Sequence, residues 1–365
     1  MAEDEVDAKL FGQDLFGTPI RNTNGPIADK FVFPPFTTLD ARAGDWQDRK
    51  RAWLSMGIRS EIGRGDNLIA SGGGCYTKMK APDGNFGYGK TLGTIGSQGA
   101  SLGAGLMARR GPDGKLEYVN IHAGRAKAFN TEGTISEATG TSIFDPVLCE
   151  CLYRWFSGPG DQVIDPFAGG SVRGIVASTL GRKYWGCDLR PEQIAANEEQ
   201  AREIISKDPV PKWVCGNSMT TLPTAPMADM IFSCPPYFDL EQYSDHGEDL
   251  SAMGWSEFCA SYERIIYLAC ERLKPNRFAA FVVAEIRDKS TGFFRDFLGV
   301  TTTCFREAGL HYYNEAILLT AVGSAAIRVS RQFDGGRKLC KTHQNILIFV
   351  KGDCKLAAEH CIRGS

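Results

Sequence analysis

The chain lacks any unbroken apolar run of the roughly 18 residues that a membrane-spanning helix needs, although 43% of its 365 residues are hydrophobic. Its acidic opening, Met1-Ala2-Glu3-Asp4-Glu5, is unlike the basic start of a secretory leader. A soluble, intracellular protein with no membrane partner is expected. An excess of either charge is missing too: 41 Lys and Arg face 43 Asp and Glu, for a net charge of −2. No global field marks a nucleic-acid binder, so any such surface must be local. Histidine is scarce, at five residues, and the twelve cysteines are scattered without a C-x-x-C pair, Cys149 and Cys151 lying nearest. Neither a disulfide framework nor a metal site is spelled out. Reduced, mostly buried thiols are expected, with Cys234 set apart by its neighbours.

The length suits one large core plus an appendage. Residues 1–30 are polar and turn-rich, and a weakly ordered arm is expected there. Residues 31–140 read as an accessory region, a candidate for DNA recognition. A short helix is expected within 40–60, with Asp45 as a candidate cap, in which Trp46, Lys50 and Trp53 share a side, flanked by Arg49 and Arg51. Such a helix either contacts nucleic acid or docks by its aromatic face, and its sequence leaves both open. Residues 71–105 contain eleven glycines and cannot supply a packed core. Gly84 to Thr91 formally fits G-x-x-x-x-G-K-[ST]. No hydrophobic strand precedes it and Pro82-Asp83-Gly84 reads as a turn, so no nucleotide loop is expected.

From residue 141 to 352 the pattern becomes regular, leaving 353–365 as a tail. A helix over 144–156 leads into strand 162–165 and helix 171–181, then strand 183–188 and helix 191–206. Strands 212–216 and 228–233, helix 256–273, strand 278–285 and helix 293–308 follow, and two strands near 311–321 and 342–351 close the series. Five β/α steps and a final β-pair predict an α/β fold with a seven-stranded, doubly wound, Rossmann-like sheet and an antiparallel last strand. The first strand ends in Asp165-Pro166-Phe167-Ala168-Gly169-Gly170, where the glycines let the backbone approach a ligand and the next helix aims its amino terminus at it. The second ends in Asp188, 23 residues later, where an acid can accept ribose hydroxyls. The fourth ends in Ser233-Cys234-Pro235-Pro236-Tyr237, a rigid turn carrying one exposed aromatic ring.

The acid-ended strand and the Pro-Pro-Tyr turn together resemble motifs I and IV of the S-adenosylmethionine-dependent DNA amino-methyltransferases. The phrases Val163 to Val176, Phe232 to Asp245, Asn314 to Arg328 and Lys341 to Gly352 are similar to phage-type DNA methylases. The resemblance implies a cytoplasmic enzyme of a bacterium or phage-infected host. It implies that Asp165 and residues 166–170 hold the methionine moiety, Asp188 the ribose, Asn217 and Ser218 the adenine, and that Asp145 belongs to an additional cofactor motif. It further implies a double-stranded DNA substrate whose target base is flipped out, with Cys234, Pro235, Pro236 and Tyr237 at the reacting amino group.

Where the family has Asp, Asn or Ser before Pro-Pro, this chain has Cys234. A thiol is a poor acceptor, so backbone carbonyls would carry more of the task; a small uncharged residue there resembles the Ser-Pro-Pro-Tyr enzymes more than the Asp ones, which implies cytosine N4 over adenine N6. A thiolate could instead attack a cytosine carbon with Glu285 as its acid, although the Pro-Cys-Gln and Glu-Asn-Val signatures are absent. A non-catalytic nucleic-acid-binding scaffold stays open as well. Arg328, Arg331, Arg337, Lys338 and Lys341 read as a basic loop for phosphate contacts, opposed only by Asp334. Asp239, Glu241, Tyr243, Ser244 and Asp245 read as an acidic loop beyond the turn. Target sequence and oligomeric state are not encoded legibly.

Overall fold

The computed structural model describes residues 3–15, 18, 20, 25–59, 78–80, 86–88, 106–110, 116–120, 144–206, 209–238, 249–322 and 325–363. Its chain divides into two units: Met1–Ile69 with Thr141–Ala321 and Lys341–Ser365, and Ala70–Gly140 with Val322–Cys340. In the first unit, helices α1 (Glu3–Phe11) and α2 (Pro26–Phe31) precede strand β1 (Thr38–Asp40) and helix α3 (Gly44–Ser55). The second unit contributes β2 (Lys78–Lys80) paired with β3 (Phe86–Tyr88), and β4 (Leu106–Arg110) paired with β5 (Leu116–Asn120).

The first unit then resumes with α4 (Pro146–Phe156), β6 (Gln162–Asp165), α5 (Val172–Thr179), β7 (Lys183–Asp188), α6 (Pro191–Ile204) and β8 (Lys212–Cys215). It continues through α7 (Ser218–Thr221), β9 (Ala228–Ser233), α8 (Trp255–Arg272), β10 (Leu273–Val283), α9 (Phe297–Glu307) and β11 (His311–Leu319). Helix α10 (Ala325–Gly336) belongs to the second unit, and β12 (His343–Lys351) and α11 (Cys354–Arg363) return to the first. Among the described residues no helix is long and apolar enough to cross a membrane.

The sheet has eight strands in the order β1-β11-β12-β10-β9-β6-β7-β8, one more than the sequence predicts. The added strand is β1, which pairs parallel to β11 through Thr38, Leu39 and Asp40; three residues are too few to announce a strand by alternation. Only β12 runs against its neighbours, antiparallel to both β10 and β11. Period-two alternation sorts the core into two layers. Val163, Met230, Phe232, Ala280 and Val282 face the layer containing Trp46, Trp53, Val147, Ile175 and Ala357. Ile164, Ile231, Ala279, Phe281 and Val283 face the layer containing Phe258, Tyr262, Ile265, Phe297 and Phe305.

Helix α3 docks by its aromatic face. Trp46, Arg49 and Trp53 are all buried, so Arg49 shares the tryptophan side instead of flanking it. Its guanidinium donates to both oxygens of Glu150 on α4, at 2.7 and 2.6 Å, and to Asp7 of α1 at 2.5 Å, while Trp53 Nε1 donates to Glu150 at 2.7 Å. This buried network also orders part of the expected weak arm, with Val6 and Asp7 buried on α1. Likewise, the expected tail forms α11, which buries Ala357 and Cys361 and pairs His360 with Asp161 at 2.8 Å. The glycine-rich 71–105 stretch, apart from β2 and β3, lies outside the described residues, as does the acidic loop from Asp239 to Asp245.

Candidate functional site

Strand order reverses between β6 and β9, which lie side by side with β7 and β8 on one flank and β10 on the other. In an open parallel sheet, the crevice outside the carboxyl ends of such a pair is where ligands bind. The Asp165–Gly170 and Cys234–Tyr237 turns leave those two strand ends. The topology thus brings together, at one edge, the two segments that stand out in the sequence.

Asp165 is fully buried and its carboxylate meets four donors. Oδ1 accepts from Phe167 N at 3.1 Å and Ser233 Oγ at 2.5 Å, and Oδ2 from Arg173 Nε at 2.6 Å and Tyr184 OH at 2.7 Å. The acid therefore faces into the protein and shapes the turn from beneath. Arg173, buried on α5, completes the frame: Nη2 donates to the carbonyls of Phe167 at 2.6 Å and Ala168 at 2.8 Å. Burial disfavours the guanidinium charge, but the Asp165 carboxylate overcomes it and holds Arg173 firmly protonated. Gly169 sits at φ 52°, and the position a Cβ would take there faces open space.

Asp188, at the end of β7, accepts the Gly169 amide at 3.1 Å and the Arg190 amide at 2.9 Å. Asn197 of α6 donates to the Gly169 carbonyl at 2.7 Å. Burial pushes the Asp188 carboxyl above its ordinary value, against the pull of Arg190 and the two amides. Each of its oxygens can take further donors. Asn217 caps α7 by accepting from Met219 N at 2.9 Å, and the Ser218 hydroxyl turns inward to donate to the Pro166 carbonyl at 2.6 Å. Asp145 caps α4 through Val147 N at 2.9 Å and accepts from Trp46 Nε1 at 3.3 Å and Lys50 Nζ at 3.1 Å. Its carboxylate is thereby built into the joint between α3 and α4.

Across the crevice, Pro235 is buried and Cys234, Pro236 and Tyr237 are half-buried. Cys234 Sγ lies 3.6 Å from the Tyr237 hydroxyl, to which Gln344 Nε2 donates at 3.3 Å. Gln344 reaches this edge because β12 is antiparallel and starts where its neighbours end. Lys341, just before β12, donates to Asn345 at 2.7 Å, and Asn345 to Glu315 at 2.8 Å. Burial lowers the Lys341 pKa, opposed by the charges of Glu285 and Glu315. Glu285, beyond the end of β10, accepts the amides of Ile286 at 3.2 Å and Phe297 at 2.9 Å and so anchors the start of α9.

The basic segment is not a loop. Arg328, Arg331 and the glycines lie on α10, whose Ala325-Ala326 start favours helix; Gly335 and Gly336 mark its end, and Arg337 at φ 51° turns the chain out. Arg331, Arg337 and Lys338 are exposed, with Asp334 3.9 Å from Arg337. Lys341 belongs to the first unit, and Arg328, Arg331, Arg337 and Lys338 to the second. Among the described residues one grouping has the spacing of a cation site, Asp161, Asp229 and His360. It lies at the opposite edge of the sheet, and Asp229 already pairs with Lys274 and Arg277. Sequence reasoning missed Arg173, Tyr184, Asn197 and Gln344, and named Ser233 without its bond to Asp165. Only Arg173 carries a signal, as a charge within an otherwise apolar helix directly after the turn.

No protein-family model matches the chain, and no curated protein matches it. Among solved structures it is similar to TrmN of Thermus thermophilus, at 17% identity and TM-score 0.36, over 57% of this chain and 49% of TrmN. It thus spans about half the length of that protein. It is also similar to the magnesium protoporphyrin IX methyltransferase of Synechocystis, crystallised with S-adenosylmethionine, at 13% identity and TM-score 0.35, over 53% of this chain and 71% of that one. A third likeness is the [4+2]-cyclase SpnF, at 14% identity and TM-score 0.40, over 57% and 82%. At these scores no residue role or substrate carries across to this chain.

Proposed function

We propose that the chain is an S-adenosylmethionine-dependent DNA methyltransferase acting on the exocyclic amino group of a flipped base, with cytosine N4 favoured. The observation that carries this reading is the placement of the Cys-Pro-Pro-Tyr turn beside the Asp165–Gly170 turn at the reversal point of the sheet. The residues fit the cofactor. Asp188 accepts one amide on each carboxylate oxygen and keeps acceptor capacity that the two hydroxyls of a ribose would fill. Gly169 and Gly170 leave room for close approach, Phe167 and Ala168 line the turn, and Asn217 stands at the end of β8. Asp165, Pro166, Ser218 and Asp145 act through the frame that holds this turn and its neighbouring helix. S-adenosylmethionine, when bound, supplies an electrophilic methyl group.

The rest falls to the protein. Tyr237 offers a ring face for a base to stack on, and its hydroxyl is oriented by Gln344. Pro235 and Pro236 fix the backbone so that the carbonyls of Cys234 and Pro235 can accept from the amino group and localise its lone pair. Engagement of Glu285 at the start of α9 supports this reading over attack by Cys234 on a ring carbon. Arg328, Arg331, Arg337 and Lys338 suit phosphate contacts, whereas Lys341 faces the crevice residues. Incubation with labelled S-adenosylmethionine and unmodified DNA, followed by separation of nucleosides by mass, tests the proposal. Label in N4-methylcytosine or N6-methyladenine supports it, label in 5-methylcytosine transfers the task to the Cys234 thiol, and no label in DNA rejects it.

A further inference from the structure

Beyond β10 the chain makes a finger, residues 284–296, before entering α9. Arg295 N donates to the Ile286 carbonyl and Asp288 N to the Phe293 carbonyl, each at 2.9 Å, and Arg287 and Phe294 form a β-bridge. The Asp288 carboxylate closes the tip by accepting from Ser290 N at 2.8 Å and Thr291 N at 2.9 Å, and Gly292 takes the positive φ of 78° that the turn needs. Two large apolar side chains emerge from this small structure, Phe293 at 75% and Phe294 at 55% exposure. Phe294 carries the Arg287 guanidinium over its ring at 3.9 Å, and Lys289 is exposed at the tip.

The finger is tied to the Cys234–Tyr237 turn. Arg295 donates to Asp288 at 2.5 Å, and its guanidinium covers the rings of Phe238 at 5.0 Å and Trp255 at 4.8 Å. Phe238 directly follows Tyr237. Because β9 and β10 are parallel, the finger leaves the sheet at the same edge as that turn. A short hydrogen-bonded finger with outward rings, and Arg287 and Lys289 beside them, fixed to the place where a base would dock, suits a stacked and negatively charged partner.

We propose that the finger is a wedge for a DNA duplex, with Phe293 entering the stack where a base has left it and Arg287 and Lys289 beside the phosphates. This rests on the methyl-transfer reading above and adds the element that holds the gap open. Base–aromatic stacking is sequence-tolerant, because every base has a π-face.

The test compares binding of the full-length protein, by fluorescence anisotropy, to two duplexes of one sequence, intact or lacking a single base. The expected result is a preference for the gapped duplex on the order of tenfold, retained in Phe293→Trp and lost in Phe293→Ala. Equal affinity of the unaltered protein for both duplexes, or a preference that survives Phe293→Ala, overturns the wedge. Self-association that Phe293→Ala abolishes, without a gap preference, assigns the rings to a second copy of the chain and overturns it too. The same proteins assayed for methyl transfer to plasmid DNA separate the two proposals. A Phe293-dependent preference without transfer upholds the wedge and rejects the reaction; transfer without the preference does the reverse.

Discussion

The carboxylate of Asp188 accepts the amide hydrogen of Gly169 at 3.1 Å, tying the end of β7 to the turn that leaves β6. One side chain thus fixes the shape of the candidate cofactor turn and keeps acceptor capacity for a ligand. Asp188→Ala is expected to weaken binding of S-adenosylhomocysteine by about tenfold to a hundredfold, the range for hydrogen bonds to a charged group, as read by titration calorimetry. Burial holds the Asp188 carboxyl above its ordinary value, so the proton is retained to higher pH than on a free carboxylate. Since the ionised form is the better acceptor, affinity is expected to fall as pH drops through that raised pKa. Asp188→Asn is expected to flatten the profile.

Tyr237→Phe preserves the ring face and loses only the hydroxyl that meets Gln344, whereas Tyr237→Ala removes the stacking surface. Methyl transfer is expected to persist in the first and to fall at least tenfold in the second, about what one base–aromatic stack contributes. Cofactor binding is expected to be unchanged in both.

Cys234→Ser distinguishes the two chemistries. If backbone carbonyls accept from the amino group, serine keeps the turn and supplies a better acceptor than sulfur, and transfer is retained or raised. If the thiolate attacks carbon, the same change abolishes transfer. Product rates on unmodified DNA, with cofactor affinity as the control, decide the matter.

Glu150 governs stability at acid pH. Burial raises its pKa, but Arg49 and Arg154 more than offset this and bring it down to about 2. A carboxylate depressed in the folded state contributes stability that is present above its unfolded pKa. That stability is lost as pH falls from about 4.3 toward the folded value of about 2. Glu150→Ala leaves the Arg49 charge buried without its main partner and is expected to cost about 3–5 kcal/mol. Thermal melts between neutral and acid pH are expected to show the variant's deficit shrinking toward low pH.

The sequence announces the site better than its supports. Acids and small residues at successive strand ends, and prolines fixing a turn, are local signals, and they reveal where the chain leaves the sheet. Short apolar runs likewise predict the strands that end at Asp165 and Ser233. The frame beneath is non-local: Ser233 and Tyr184 reach Asp165 only once the sheet has formed, so Ser233 stands within the marked turn without its partner being legible, and nothing around Tyr184 marks it. The basic helix α10 is misread as a loop because two glycines draw attention to its end, while its alanine-rich start is too short to show a period. The buried face of α3 is ambiguous because an arginine interrupts the tryptophans, and two distant acids, Glu150 and Asp7, explain its burial.

Strand β12 is hydrogen-bonded on both sides, from Arg277↔Lys351 to Val283↔Asn345 against β10 and from His311↔Val350 to Leu319↔His343 against β11. Its register is therefore held twice over and owes nothing to the length of chain that precedes it. Closing a longer loop costs little more than closing a short one, so a change in the length of the stretch between β11 and β12 would still bring Gln344 beside Tyr237.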